Sequence, residues 1–199
     1  MDFALILLLF TVVANLLLAV FVYKNNPNSV TNRIFGSIAV IAAAWLSVMY
    51  LAQSRELLLL NLFFIRLTTF LAAPMALSFY LFAYTVPSKI FTLSKKSLLW
   101  LFLVTFIAMV LAASPFVFTD IKIQDGFSSP VAGWGLAIYG IIAVWLSLGS
   151  IYGFIKRATA TDISIVERQQ LTFVLIGGLL MWGFIIGTIF LPVLLFNND

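Results

Sequence analysis

Residues 3–23 read Phe3-Ala4-Leu5-Ile6-Leu7-Leu8-Leu9-Phe10-Thr11-Val12-Val13-Ala14-Asn15-Leu16-Leu17-Leu18-Ala19-Val20-Phe21-Val22-Tyr23. No charge interrupts them. As a helix rising about 1.5 Å per residue they reach roughly 30 Å, the thickness of a bilayer's hydrocarbon core. A surface helix of a soluble domain keeps a polar face, and this stretch has none. It opens on Met1-Asp2 without a basic leader and closes on Tyr23-Lys24 without small residues. It therefore reads as a retained membrane helix and not as a cleaved signal peptide.

Five similar stretches follow, at roughly 33–54, 57–86, 96–118, 131–155 and 168–195. None alternates strictly between apolar and polar residues, so each is expected to be a helix that satisfies its own backbone hydrogen bonds in lipid. The expected fold is all-α: a polytopic transmembrane bundle of six spans forming one membrane-embedded domain over 1–199.

Composition agrees with that reading. Hydrophobic residues are 63% and charged residues 9% of the chain, against about 45–50% and about 25% in soluble domains. Cysteine and histidine are both absent. Thiolate chemistry, disulfides, histidine general bases and the usual zinc ligands are thereby excluded. Neither a cofactor nor a metal is expected, and the chain is expected not to be an enzyme. The net charge of +4 lies in short loops, where membrane orientation explains it better than nucleic-acid binding.

The loops sort by charge. Lys24 and Arg33, then Lys89, Lys95 and Lys96, then Lys156, Arg157 and Arg168 fall in the odd loops. Arg55 and Lys122 fall in the even ones. The positive-inside rule places loops 24–33, 87–96 and 156–168 in the cytoplasm and the N-terminus outside. Six spans would leave the C-terminus outside as well. Tyr23, Tyr84, Trp100, Trp134 and Tyr152 lie near span ends, where amphipathic rings favour the headgroup layer.

Three polar residues inside spans are the candidates for function. Arg66 lies about 13 Å into the third expected span at helical rise, and an arginine at a helix centre costs roughly 2.5–3.5 kcal/mol to insert. Two readings of it stand side by side. One is a ligand or anion contact in an outward-facing cavity. The other is a snorkelling or packing arginine, tied to a carbonyl or to Asn15 or Asn61 across the bundle. Asn15, in mid-span, and Asn61 are further intramembrane contacts, of the kind that join helices for about 1 kcal/mol. Pro74 interrupts the third span, as a hinge or a static kink.

Small residues recur at packing spacing: Ala39 and Ala43, Gly149 and Gly153, Gly183 and Gly187. They let backbones approach, within one bundle or between two copies in a homodimer. Ser164 and Glu167 have the spacing of a capping box that would start the last helix.

Several segments taken in order carry a resemblance. Asn25-Asn26-Pro27-Asn28-Ser29-Val30-Thr31-Asn32-Arg33 leads into a span with Trp45. Phe63-Phe64-Ile65-Arg66-Leu67 follows, then Ala73-Pro74, then Phe79-Tyr80-Leu81-Phe82-Ala83-Tyr84. Glu167-Arg168-Gln169-Gln170-Leu171 and Gly177-Gly178 come late. This order resembles the N-terminal seven-transmembrane region of bacterial sensor histidine kinases, related forms of which precede diguanylate cyclases and other output domains. The resemblance implies a signal-input module in the cytoplasmic membrane, sensing a small or hydrophobic ligand and biasing a cytoplasmic signalling domain or partner. It assigns to Arg66 the place of a recurrent arginine in the third span. Without histidine the chain itself is no kinase. A six-span chain ends on the wrong side to signal inward, so the expectation is either a chain lacking a seventh helix and an output domain, or a stand-alone relative that works through contacts between its spans or through loops 24–33, 87–96 and 156–168.

The alternatives are a small transporter or channel subunit, and a structural or assembly protein of the membrane. Ion coupling usually needs acidic residues at depth, and none is expected in these spans.

Overall fold

In the computed structural model, residues 3–54, 57, 60–86, 93–124, 127–160 and 163–185 are described. Their elements run α1 (Phe3–Asn25), α2 (Val30–Ala52), α3 (Asn61–Thr85), α4 (Lys95–Ala113), β1 (Phe118–Gln124), β2 (Phe127–Ala132), α5 (Gly135–Ala158) and α6 (Ile165–Ile185). The helices α1 to α5 are each long and apolar enough to cross a membrane. This is a multi-pass membrane protein.

Among the described residues, five helices are long and apolar enough to cross a membrane, where six spans are expected. The sixth expected span, 168–195, is described only as far as Ile185, so Gly187 and the C-terminus lie outside the described residues. The chain divides into two compact units, Met1–Ser150 and Ile151–Asp199.

In the first unit α1 packs on α2, α2 on α3, and α3 on α4, β1 and β2. Helix α3 is therefore the hub. The α1–α2 contact is made by small residues: Ala19 is buried, and the bare Cα side of Gly36 sits against the Ala19 carbonyl. Ala39 and Ala43 are buried on α2, as their spacing predicts. The rest of α1 is largely exposed, with Phe3, Phe10, Leu17 and Phe21 outward, which is how a lipid-facing helix should look.

Serines begin two helices of this unit. The Ser29 hydroxyl oxygen accepts from the Asn32 N–H at 3.3 Å, and Ser94 accepts from Ser97 at 3.1 Å. Each fills one of the donors that a helix start leaves open. Helix α3 continues through Pro74 without a break, and the Ser78 hydroxyl donates to the Pro74 carbonyl at 2.7 Å.

Three boundaries correct the sequence reading. Span five starts at Gly135 and not at 131, which lies in β2. Span three starts at Asn61 and not at 57, so Arg66 is the sixth residue of its helix. It lies about 8 Å from the helix start at helical rise, shallower than the expected 13 Å. Span four ends at Ala113 and not at 118. The segment beyond it is an antiparallel β-hairpin, so the bundle is not wholly helical. Its register pairs Phe118 with Ala132 and Lys122 with Ser129, and a bulge falls between Phe118 and Asp120. Under the hairpin lies a core of Ala73, Ala108, Ala112, Val117 and Tyr139, drawn from α3, α4, the turn before β1, and α5.

In the second unit, α6 begins as its sequence predicts. The Ser164 hydroxyl oxygen accepts from the Glu167 N–H at 3.3 Å, and a Glu167 carboxylate oxygen accepts from the Ser164 N–H at 3.0 Å. This is the reciprocal pairing of a capping box. Arg168 donates to the Ala160 carbonyl at 3.0 Å, tying the loop back to the new helix.

Candidate functional site

The site forms where the start of α3 meets the hairpin. Residue 66 faces β1, and its guanidinium donates to the Phe118 carbonyl oxygen from Nε at 3.2 Å and from Nη2 at 2.6 Å. Both donors of one guanidinium edge thus converge on one backbone oxygen. The bulge that follows Phe118 is the kind of irregularity that re-aims a strand's groups away from regular pairing. A hydrogen bond to a charged donor contributes about 1.5–3 kcal/mol, and it matters more where water is scarce.

A second tether reaches α3 from α5. The Tyr139 hydroxyl donates to the Thr69 carbonyl at 2.7 Å. A polar tip on a mostly apolar ring needs such an acceptor when buried. Thr69 lies three residues past Arg66, nearly one turn along. The first turns of α3 are therefore held by the hairpin and by α5 together.

Further along, the Tyr80 ring packs on the open face of Gly149, stacks on Tyr84 at 4.9 Å, and meets Trp145 at 6.2 Å. Gly149 lets an aromatic ring bridge α3 and α5.

The far end of α3 is tied as well. The Thr31 hydroxyl, at the start of α2, donates to the Thr85 carbonyl at 3.2 Å. The loop before Thr31 is built by its own side chains. Arg33 donates to the Pro27 carbonyl at 2.7 Å, and the Asn32 amide to the Val22 carbonyl at 3.0 Å. One helix therefore holds the hairpin at its start and the α1–α2 loop at its end.

The three residues singled out from sequence are not gathered into one pocket. The Arg66 side chain bonds a carbonyl of β1, one of the acceptors expected for it. The Asn15 amide donates to the Thr11 carbonyl of its own helix at 2.9 Å, so that bond stays within α1. Asn61 is buried at the first turn of α3, about 140° around the helix from Arg66 at 100° per residue. On α2, Trp45 buries its indole N–H with no acceptor among the described residues. Among the described residues there is no group of three or more acidic, histidine or cysteine side chains that would hold a metal.

The hairpin and Tyr139 were absent from the sequence reading, and Thr31 entered it only as part of the segment 25–33, with no contact assigned to it. The hairpin had a signal: Ile121 and Ile123 alternate with Asp120, Lys122 and Gln124, then come Asp125-Gly126 and Phe127. An Asp-Gly pair between such runs is a strong hairpin cue. Tyr139 and Thr31 had none, since both bond backbone.

No family model, curated protein or solved structure matches the chain.

Proposed function

We propose that this protein is a non-catalytic membrane module for signal input, in which α3 couples the hairpin end of the bundle to the opposite, basic end. The observation that carries this reading is the pair of tethers on one helix: Arg66 to Phe118 at its start, Thr85 to Thr31 at its end. A coupling element must be held at both places it connects, with two arrangements whose balance a stimulus can shift. The ordered motifs that resemble the membrane region of sensor histidine kinases support the same reading, with Arg66 among them.

Orientation follows from charge. Lys24, Arg33, Lys95 and Lys96 mark the ends of α1, α2 and α4 away from the hairpin. With that end in the cytoplasm the hairpin lies outside. The stimulus then enters at the hairpin, and the output surface is the α1–α2 loop and the start of α4.

Hydrogen–deuterium exchange on the reconstituted protein tests the coupling. In Arg66→Ala, amides of β1 and also those of Val30 to Ile34 should exchange faster than in the wild type. Faster exchange confined to the hairpin would refute transmission through α3.

A further inference from the structure

The hairpin base carries a feature that the Arg66 contact leaves unused. Phe116 lies three residues past α4, and Trp134 one residue before α5. Their rings are 5.0 Å apart, tilted by 42°. Both stay outside the core, Trp134 with 64% of its surface exposed.

The pair is fixed by backbone. The Gly133 N–H donates to the Val117 carbonyl at 2.8 Å, and the Gly135 N–H to the Phe116 carbonyl at 2.9 Å. A side chain at Gly133 would run into the Phe116 carbonyl, and one at Gly135 would come within 2.9 Å of Phe116. The backbone that carries the two rings is therefore held close together.

Their depth follows from their place in the chain. Each ring lies within three residues of the end of a helix long and apolar enough to cross a membrane, the level that interfacial aromatic rings favour. The sequence grades the same way. Phe116, Val117, Phe118, Ala132 and Trp134 form an apolar base, while further out Asp120, Lys122 and Gln124 alternate with Ile121 and Ile123. An aromatic base without charge, with charged residues only beyond it, is what a water–lipid boundary favours.

The geometry points to the lipid surface as the partner of this face: Phe116 and Trp134 anchor the hairpin base in the headgroup layer, and bilayer thickness is the stimulus. The inference rests on α3 being the coupling element and names what acts on it. Phe118, two residues from Phe116, carries the oxygen that Arg66 holds. When the bilayer thickens, the anchor follows the interface while the packed helices resist. The hairpin then shifts against α3, and Arg66 passes the displacement on. Mismatch of this kind is met by tilt, or by movement of flanking residues.

Two readouts on the reconstituted full chain test it. The first is depth, from the Trp emission lost between wild type and Trp134→Phe. That emission should be quenched most by phosphatidylcholine carrying a nitroxide at the headgroup or upper chain. Quenching by aqueous iodide alone would overturn the proposal, and so would quenching that requires a second copy of the chain. The second is a spin-label distance between Asn28→Cys and Lys122→Cys, clean because the chain has no native cysteine. Between short-chain and long-chain phosphatidylcholine it should shift by about 1–2 Å, the size of a typical helix displacement. The shift should vanish in Phe116→Leu/Trp134→Leu and persist in Trp134→Tyr. No shift in wild type, or a shift that survives the leucine pair, would overturn the lipid proposal. The exchange test of Arg66→Ala in a single lipid is independent of both readouts, so coupling through α3 stands or falls separately.

Discussion

Arg66 holds Phe118 by the one group of that residue that no substitution removes, its backbone carbonyl oxygen, from Nε at 3.2 Å and Nη2 at 2.6 Å. Fifty-two positions separate the two in sequence. The bond joins a spanning helix to the hairpin, and it decides what α3 can transmit.

Removing the guanidinium tests its strength. Arg66→Ala should lower stability by about 1.5–3 kcal/mol, the worth of a hydrogen bond to a charged group. Arg66→Lys should recover part of this, because an ammonium reaches the oxygen as a single point and not as a planar edge. Denaturant titration in detergent micelles, followed by far-UV circular dichroism, measures both. Equal loss in the two variants would mean that geometry at the oxygen is unimportant.

The two glycines at the hairpin base should be intolerant where a third is not. Gly133→Ala drives a methyl into the Phe116 carbonyl, and overpacking of this kind costs about 1–3 kcal/mol. Nothing lies within 4 Å of a side chain at Gly140 on α5. Gly140→Ala should therefore be neutral or slightly stabilising, since alanine is the better helix former. Thermal denaturation of the pair gives the comparison, and similar melting points would contradict it.

Trp45 should lose little when its ring nitrogen goes. Its buried N–H has no acceptor among the described residues, and an unmet donor costs about 1–3 kcal/mol. Trp45→Phe removes that penalty and some apolar area together, so stability should change by less than about 1 kcal/mol. A loss well above this in the same titration would reveal an acceptor for the indole.

How much of this was legible beforehand depends on what each contact is made of. The helices α1 to α5 were readable because long apolar stretches leave the backbone no alternative in lipid. Ser164 and Glu167 were readable because a capping box is local and both members are side chains. Ala39 and Ala43 were readable from spacing. The tethers of α3 were not, for a physical reason. Phe118, Thr69 and Thr85 accept through backbone oxygens, which every residue carries, so no residue type marks them. Arg66 drew attention as a charge in an apolar run, but its partner lay in a segment read as the end of a helix. The alternation from Asp120 to Gln124 and the Asp125-Gly126 pair marked that segment as a hairpin. The apolar run leading into it from α4 concealed the change.

Orientation is open to a separate check. Cysteines at Ser94 and Gln124 should react with a membrane-impermeant maleimide from opposite sides of sealed vesicles, Gln124 from outside. Labelling of both from one side would overturn the assignment of the hairpin to the outer face.

Coupling through α3 is tested most directly by a distance at the end that Arg66 does not touch. Spin labels at Asn28→Cys and Lys95→Cys, both exposed, report the spacing of the α1–α2 loop and the start of α4. In one lipid, double electron–electron resonance should give a distribution in Arg66→Ala that is shifted by about 1–2 Å or broadened relative to the Arg66 protein. An unchanged distribution, in a variant whose hairpin has demonstrably loosened, would contradict transmission along α3.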